Sequence, residues 1–229
     1  IKNQEIEFNV RVNVDQKNLV TNLPMAQIQI GGLPFNIDGS LNQDSLRFHI
    51  ASKFSPVNAC KKLLRKSCES SLERLKIDCI DLYQIHWMNY NVPIDETLDT
   101  LLALKKEGKI KAIGVSNFSS MELKACSNYI VSTNQIEFNL INRIAEDNLL
   151  HFHENNSINS IAYSPFEGIN LLPASKKQEL LNDLQSKYSS SVYQIVLSFL
   201  SSYKNMLLLY SSTNFGHILE NSKLINFKN

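Results

Sequence analysis

The feature of this sequence that most limits its fold is a regular alternation, from residue 47 onward, of short apolar runs with longer segments of helical periodicity. Such alternation indicates successive βα units. The runs are mostly apolar on both faces, as parallel strands covered by helices require. Strands are predicted at residues 47–52, 78–86, 111–115, 133–137, 159–163 and 206–210. We therefore predict an α/β fold, a (β/α)8 barrel of the TIM type.

The segments between these runs carry the signals of helices. Apolar residues recur at helical spacing from Val57 to Leu75 and form one stripe. A second helix is predicted to stop at Gly108, because glycine readily takes the left-handed conformation found at helix ends. Ser119 and Glu122 have the spacing of a capping box, which predicts a third helix start.

The first 46 residues follow a different pattern. Apolar and polar residues alternate strictly over residues 6–14, which predicts a hairpin or edge strand with one wet face. The run at 26–30 is either the partner of that strand or the first barrel strand. We predict one domain spanning residues 1–229, with a barrel that is incomplete or irregular at its amino-terminal end.

Composition narrows the choice of partners and compartment. With 23 basic and 22 acidic side chains, the net charge is +1, so neither nucleic acid nor a membrane surface is an expected partner. The four cysteines lack paired Cys-x-x-Cys spacing, which indicates reduced thiols and a cytoplasmic protein. His151 and His153 lie two residues apart, so they face different sides of a helix; we predict surface histidines and no metal site.

Polar side chains follow each predicted strand, where a barrel places its ligands. Taken singly, each residue is better explained as a polar side chain that meets water at a strand end. Because all six strand ends would converge on one rim, together they favour a polar cofactor with an aromatic head group. These residues are Lys53, His86, Trp87, Ser116, Asn117, Gln135, Glu137, Tyr163, Ser164, Ser211, Ser212 and Thr213.

Several of these residues lie in motifs that resemble a known family. Residues 71–87, ending in Ile85-His86-Trp87, resemble the aldo-keto reductase signature around its catalytic histidine. Further matching motifs follow in the same order, at residues 104–110, 114–118, 134–137, 162–165 and 220–221. The resemblance covers about residues 47–229. It implies a barrel that uses NADP or NAD to reduce a small carbonyl or sugar substrate.

The resemblance also implies roles for individual residues. Lys53 and His86 match two members of the family's Asp-Tyr-Lys-His tetrad, and Trp87 and Tyr90 fall in the loop that contacts substrate. Ser211 and His217 stand where many members place a lysine and an arginine against the 2′-phosphate, which leaves the choice between NADP and NAD open. The remaining matches are to cofactor-binding positions: Ser116, Asn117 and Gln135 for the carboxamide, Tyr163 for the nicotinamide ring, Ser164, Phe166 and Gly168 for the pyrophosphate, and Ser212, Glu220 and Asn221 for the adenosine end.

The family's catalytic tyrosine has no match in this sequence. The first tyrosine is Tyr83, and strand alternation predicts that it points away from His86. Tyr90 is a weak substitute. We therefore expect weak or absent turnover, and three hypotheses stay open: a reductase whose proton donor is atypical or lies in residues outside this sequence, a catalytically impaired cofactor-binding or regulatory protein, and a structural barrel that binds no nucleotide.

Overall fold

A computed structural model describes residues 9–14, 26–29, 46–169, 176–212 and 214–225. The strands form one eight-stranded sheet in the order β2-β1-β3-β4-β5-β6-β7-β8. Their bounds are β1 Asn9–Val14, β2 Ala26–Gln29, β3 Leu46–Phe54, β4 Ile80–Ile85, β5 Ile110–Ser116, β6 Thr133–Glu137, β7 Asn159–Tyr163 and β8 Met206–Leu208.

The six strands from β3 to β8 are parallel and curl into a half-barrel with helices, which confirms the predicted α/β barrel class and its incompleteness. The irregularity lies at the amino-terminal end, as predicted. β1 pairs antiparallel with both β3 and β2, so the run at 26–30 contributes a hairpin partner. Within the described ranges no pairing joins β8 to β2, and the sheet is open there.

Helices follow the strands along the chain. Their bounds are α1 Lys61–Leu75, α2 Ile94–Lys106, α3 Ser120–Ala125, α4 Leu149–Asn155, α5 Lys176–Tyr188, α6 Val192–Ser201 and α7 Phe215–Asn221, with 3-10 turns at Pro56–Asn58 and Ile144–Glu146. None of the helices in the described part of the chain has the length and apolar content needed to cross a membrane.

Local chemistry explains where several helices begin and end. The predicted capping box forms: Glu122 N donates to Ser119 Oγ, and Ser119 N donates to the Glu122 carboxylate. Gly108 takes a φ of 75° just after α2, and its N–H donates to Lys105 O at 3.0 Å, as predicted. One prediction is wrong: Val57 lies in a 3-10 turn ahead of α1 and is 73% exposed, so it does not belong to the buried stripe.

The sheet presents one face to the helices and one to the barrel interior. On the helix side, Phe54, Tyr83 and Ile85 are buried in a core with Leu64 of α1 and Leu98 of α2. The Tyr83 and Phe54 rings lie 5.4 Å apart, so Tyr83 faces away from the interior, as strand alternation predicts.

The register between strands aligns the residues of the opposite, interior face. Lys53 pairs with Gln84, Gln84 with Gly114, and Gly114 with Thr133. Two residues further along the same two strands, Ser116 pairs with Gln135. Because alternate residues share a face, these positions form successive rows across the interior.

Candidate active site

Lys53 and His86 lie at the carboxyl ends of two adjacent parallel strands. Phe54 pairs with Ile85 in the register, which places Lys53 and His86 one residue to either side of that pair. The His86 N–H donates to Phe54 O at 3.3 Å, which fixes the backbone where the two strands end. Both side chains are half-buried, so they lie at the rim and not in the core.

Asn117 forms a turn that holds three strand ends together. Its φ is 62°, in the left-handed region that asparagine tolerates better than most residues. Its N–H donates to Gln135 O at 2.7 Å. Its side-chain Nδ2 donates to Ser116 Oγ at 3.1 Å and to His86 O at 3.3 Å. The ends of β4, β5 and β6 are therefore linked through the backbone N–H and the side-chain amide of Asn117.

Tyr163 extends this network to β7. Its hydroxyl donates to Asn117 Oδ1 at 2.9 Å. Burial and, secondarily, the negative charge of Glu137 raise the pKa of the Tyr163 phenol, so the phenol stays protonated as a donor at neutral pH. The ring is half-buried and presents part of its surface at the rim.

A buried amide pair lies beneath the rim. Gln84 Nε2 donates to Gln135 Oε1 at 3.3 Å and lies 3.4 Å from Val115 O. Gln84 is 1% exposed and Gln135 is 3% exposed. The sequence analysis selected Gln135 and missed Gln84, because a glutamine inside an apolar strand gives no motif signal by itself.

A second buried network lies between the sheet and α4. Asn134, which is 0% exposed, accepts from Phe118 N at 3.3 Å and donates to Phe118 O at 2.8 Å. Its Nδ2 also lies 3.1 Å from His153 Nε2, and His153 Nδ1 lies 2.7 Å from Ser160 Oγ. Since the amide donates, Nε2 accepts and Nδ1 carries the proton. This network holds the segment immediately after Asn117.

The position of His153 corrects the prediction of a surface histidine. His151 is exposed, but His153 is 1% exposed and hydrogen-bonded on both ring nitrogens. In the described residues no group of three histidine, cysteine or acidic side chains has the geometry of a metal site.

Acid is expected to unfold the protein partly through His153, because burial lowers the pKa of its imidazole from 6.5 to about 4. Between these values the unfolded chain takes up a proton that the folded protein does not, so stability is full above pH 6.5 and falls as pH decreases toward 4. Between pH 7 and pH 4.5 we expect the wild type to lose about 2 kcal/mol more unfolding free energy than His153→Gln.

Urea denaturation at the two pH values measures this difference. His151→Gln is the matched control, since His151 is exposed on the same helix, and it should lose as much stability as the wild type. Equal losses in wild type and His153→Gln would contradict the assignment.

The loop after β7 has a constrained backbone. Ser164 has a φ of 52° and Gly168 a φ of 79°. A Cβ on Gly168 would meet only the exposed side chain of Ile141, which can move, so this glycine is required for its positive φ. Phe166 packs edge-on against Tyr193 of α6, with ring centroids 5.0 Å apart. The loop therefore lies next to Ile141, which follows β6, and next to α6.

The segment after β8 carries the last set of predicted residues. Ser212 Oγ accepts from Asn214 N at 3.1 Å, ahead of α7. Ser211 and His217 are exposed. Further along α7, the Glu220 carbonyl accepts from Gln194 Nε2 at 3.1 Å, and Asn221 is 6% exposed. Ser211 and His217 are therefore accessible to a ligand, while Asn221 lies largely inside.

Trp87 and Tyr90 lie in the loop after β4. Trp87 is 50% exposed, and its ring centroid lies 6.4 Å from that of His86. Tyr90 is 82% exposed, and its hydroxyl donates to Glu122 Oε1 at 2.6 Å. That hydrogen bond raises the pKa of the Tyr90 phenol, the opposite of what a catalytic tyrosine needs. Trp87 borders the rim, while Tyr90 is a poor candidate for a proton donor.

Comparison with known proteins places this arrangement in context. The family model described as "Aldo/keto reductase family" matches residues 40–229. Over 96 residues the chain is 42% identical to aldo-keto reductase YhdN of Bacillus subtilis (strain 168). This alignment covers 42% of this chain and 29% of YhdN.

Two crystal structures show the same architecture. A thermostable aldo-keto reductase, Tm1743, in complex with the inhibitor epalrestat, matches with a TM-score of 0.70 and 32% identity, covering 75% of this chain and 63% of that one. An aldo/keto reductase from Klebsiella pneumoniae in complex with NADP and acetate matches with a TM-score of 0.71 and 26% identity, covering 78% and 66%. In each of these three comparisons the chain spans less than two thirds of the relative.

Proposed function

Because the chain belongs to the aldo/keto reductase family, we propose that it binds a nicotinamide dinucleotide at the rim of the half-barrel and acts on a small carbonyl or sugar substrate. The observation that carries the proposal is the convergence of Asn117, Gln135 and Tyr163 from three consecutive strands, joined by hydrogen bonds. The solved Klebsiella pneumoniae relative holds NADP, which supports this class of cofactor.

The donor set suits the nicotinamide end of such a cofactor. A carboxamide carries both a donor and an acceptor, and the hydroxyl of Ser116 and the amides of Asn117 and Gln135 offer both functions. The half-buried ring of Tyr163 at the same rim is suited to stacking on an aromatic head group. We assign Ser116, Asn117 and Gln135 to the carboxamide and Tyr163 to the ring.

The bound cofactor would supply a hydride to the substrate carbonyl. The resulting negative charge on the carbonyl oxygen needs an oriented donor and a proton. We assign His86 to orient and protonate that oxygen, and Lys53 to stabilise negative charge beside it with its ammonium group. Trp87 would line the substrate side.

The remaining cofactor would extend away from this centre. We assign Ser164, Phe166 and Gly168 to the pyrophosphate, because they lie in the loop that directly follows β7, where Ser164 and Gly168 have positive φ angles. Ser211, Ser212, His217, Glu220 and Asn221 are assigned to the adenosine end; Ser211 and His217 are exposed there.

Binding of NADPH and NADH is expected to differ only modestly, because neither the Ser211 hydroxyl nor the His217 imidazole offers the permanent positive charge of an arginine. Isothermal titration calorimetry with both cofactors tests the proposal. Similar dissociation constants at pH 8 are expected. NADPH binding that is tighter by orders of magnitude at pH 8 would contradict this assignment, and failure to bind either cofactor would overturn the proposed function.

A second function, cofactor binding with impaired catalysis, is favoured by the positions of the two tyrosines that flank His86 in the sequence. Tyr83 packs in the core on the helix side of the sheet, and the Tyr90 hydroxyl is bonded to Glu122. Neither is placed to serve as the acid. We further propose a cytoplasmic protein that folds as a single domain.

A further inference from the structure

On the interior face of β5, Gly114 contributes no side chain. A Cβ built there would overlap Thr133 Oγ1 and would lie 2.9 Å from Gln84 Cγ and 3.0 Å from Leu82 Cδ1. The space that a side chain would fill on β5 is therefore already occupied by side chains from β4 and β6. Gly114 is needed for this close approach.

The side chain of Gln84 passes over Gly114 of β5 and reaches β6. It lies on β4 and pairs with Gly114 of β5, yet its Nε2 donates to Gln135 of β6 at 3.3 Å. Neighbouring strands lie about 4.8 Å apart, so the two glutamines start from strands roughly 10 Å apart and meet over β5. A side chain larger than hydrogen at position 114 would stand between them.

The direction of this hydrogen bond fixes the orientation of the Gln135 amide. A glutamine amide has an oxygen that accepts and a nitrogen that donates. Because Gln84 donates, Gln135 must turn its oxygen toward Gln84 and its nitrogen away from it. The structure gives Gln135 Nε2 no hydrogen-bond partner among the described residues, and so this N–H group is available to a ligand.

We propose that Gln84 is a positioning residue that holds Gln135 with its N–H group toward the rim, where it donates to the carbonyl oxygen of the cofactor carboxamide. The inference rests on the proposed function, since it concerns the same site. Asn117 does not supply this donor, because its Nδ2 is shared between Ser116 Oγ and His86 O.

Two cofactors that differ only at the carboxamide test the direction of this bond. NADPH carries a carbonyl and an NH2 group, whereas its reduced 3-acetylpyridine analogue keeps the carbonyl and lacks the NH2. Quenching of the single tryptophan, Trp87, reports binding of both. In the wild type the two dissociation constants should agree within a few-fold, because the required acceptor is present in both.

Gln84→Glu, studied above about pH 9 so that its buried carboxyl is ionised, replaces the donor with an acceptor, so Gln135 must reverse its amide and present its oxygen to the ligand. The ratio of the analogue's dissociation constant to that of NADPH is expected to rise about tenfold, the effect of losing one hydrogen bond. Thr133→Val is the matched control. Its hydroxyl lies in the same layer and has no hydrogen-bond partner among the described residues, so the ratio should not change.

A ratio that stays the same in Gln84→Glu, with both cofactors still bound, would overturn the inference while leaving the proposed function intact. Wild-type protein that binds neither cofactor would overturn both. If Gln84→Glu does not fold, as judged by circular dichroism, Gln84→Leu decides. NADPH binding weakened about tenfold supports the inference, and unchanged binding refutes it.

Discussion

Replacing Asn134 with alanine is expected to lower the free energy of unfolding by about 3 kcal/mol, because the amide satisfies several buried groups at once. Phe118 N and Phe118 O both bond to Asn134, and His153 Nε2 lies 3.1 Å from its amide nitrogen. Each buried polar group that loses its partner costs about 1 kcal/mol or more. Urea denaturation followed by circular dichroism gives the change.

Asn159→Ala is the matched control for this substitution. Asn159 also lies in the sheet, but it is exposed and donates only a long bond of 3.4 Å to Ser132 O. We expect this control to change the unfolding free energy by less than about 0.5 kcal/mol. A loss for Asn134→Ala no larger than that of the control would show that the network around Phe118 does not stabilise the fold.

Turnover is the property on which substitution of His86 should have its largest effect. General acid catalysis accelerates a reaction by roughly 10²- to 10⁴-fold. His86→Ala should therefore reduce kcat/KM with aldehydes and sugars by at least roughly 10²-fold. Lys53→Met should also reduce it. NAD(P)H oxidation followed with a substrate panel measures both, from a wild-type rate that we expect to be low.

Cofactor binding separates a catalytic role of His86 from a structural one. The backbone of His86 makes the contacts to Phe54 and Asn117, so His86→Ala should bind NADPH as tightly as wild type. His151→Ala, an exposed histidine on α4, should change neither binding nor rate. Turnover at ordinary rates that survives His86→Ala would mean that another group supplies the proton.

The barrel class and several strands were predictable because buried parallel strands are apolar on both faces. The predicted strands at 133–137 and 159–163 agree with β6 and β7 in their bounds. The strand at 78–86 was predicted too long, since β4 covers only Ile80–Ile85. The sequence could not predict which strand pairs with the run at 26–30, because a short apolar strand can pair in either direction with several neighbours.

The candidate site was predictable in part. Strand ends and motif matches selected Asn117, Gln135 and Tyr163, and the structure brings these three together. Gln84 was missed because its contact with Gln135 depends on two pairings and on the small size of Gly114. Such contacts join residues far apart in sequence, so no local spacing reports them.

The order of strands in the sheet has a consequence for how this protein folds. From β4 to β8 every strand lies beside the strand that precedes it in the chain, so each βα unit docks on an edge that already exists. Closing such moderate loops costs less chain entropy than pairing distant segments would. Asn117, Gln135 and Tyr163 belong to consecutive units. The nicotinamide end of the proposed site can therefore assemble once β5, β6 and β7 have docked, before β8 and α7 add the residues assigned to the adenosine end.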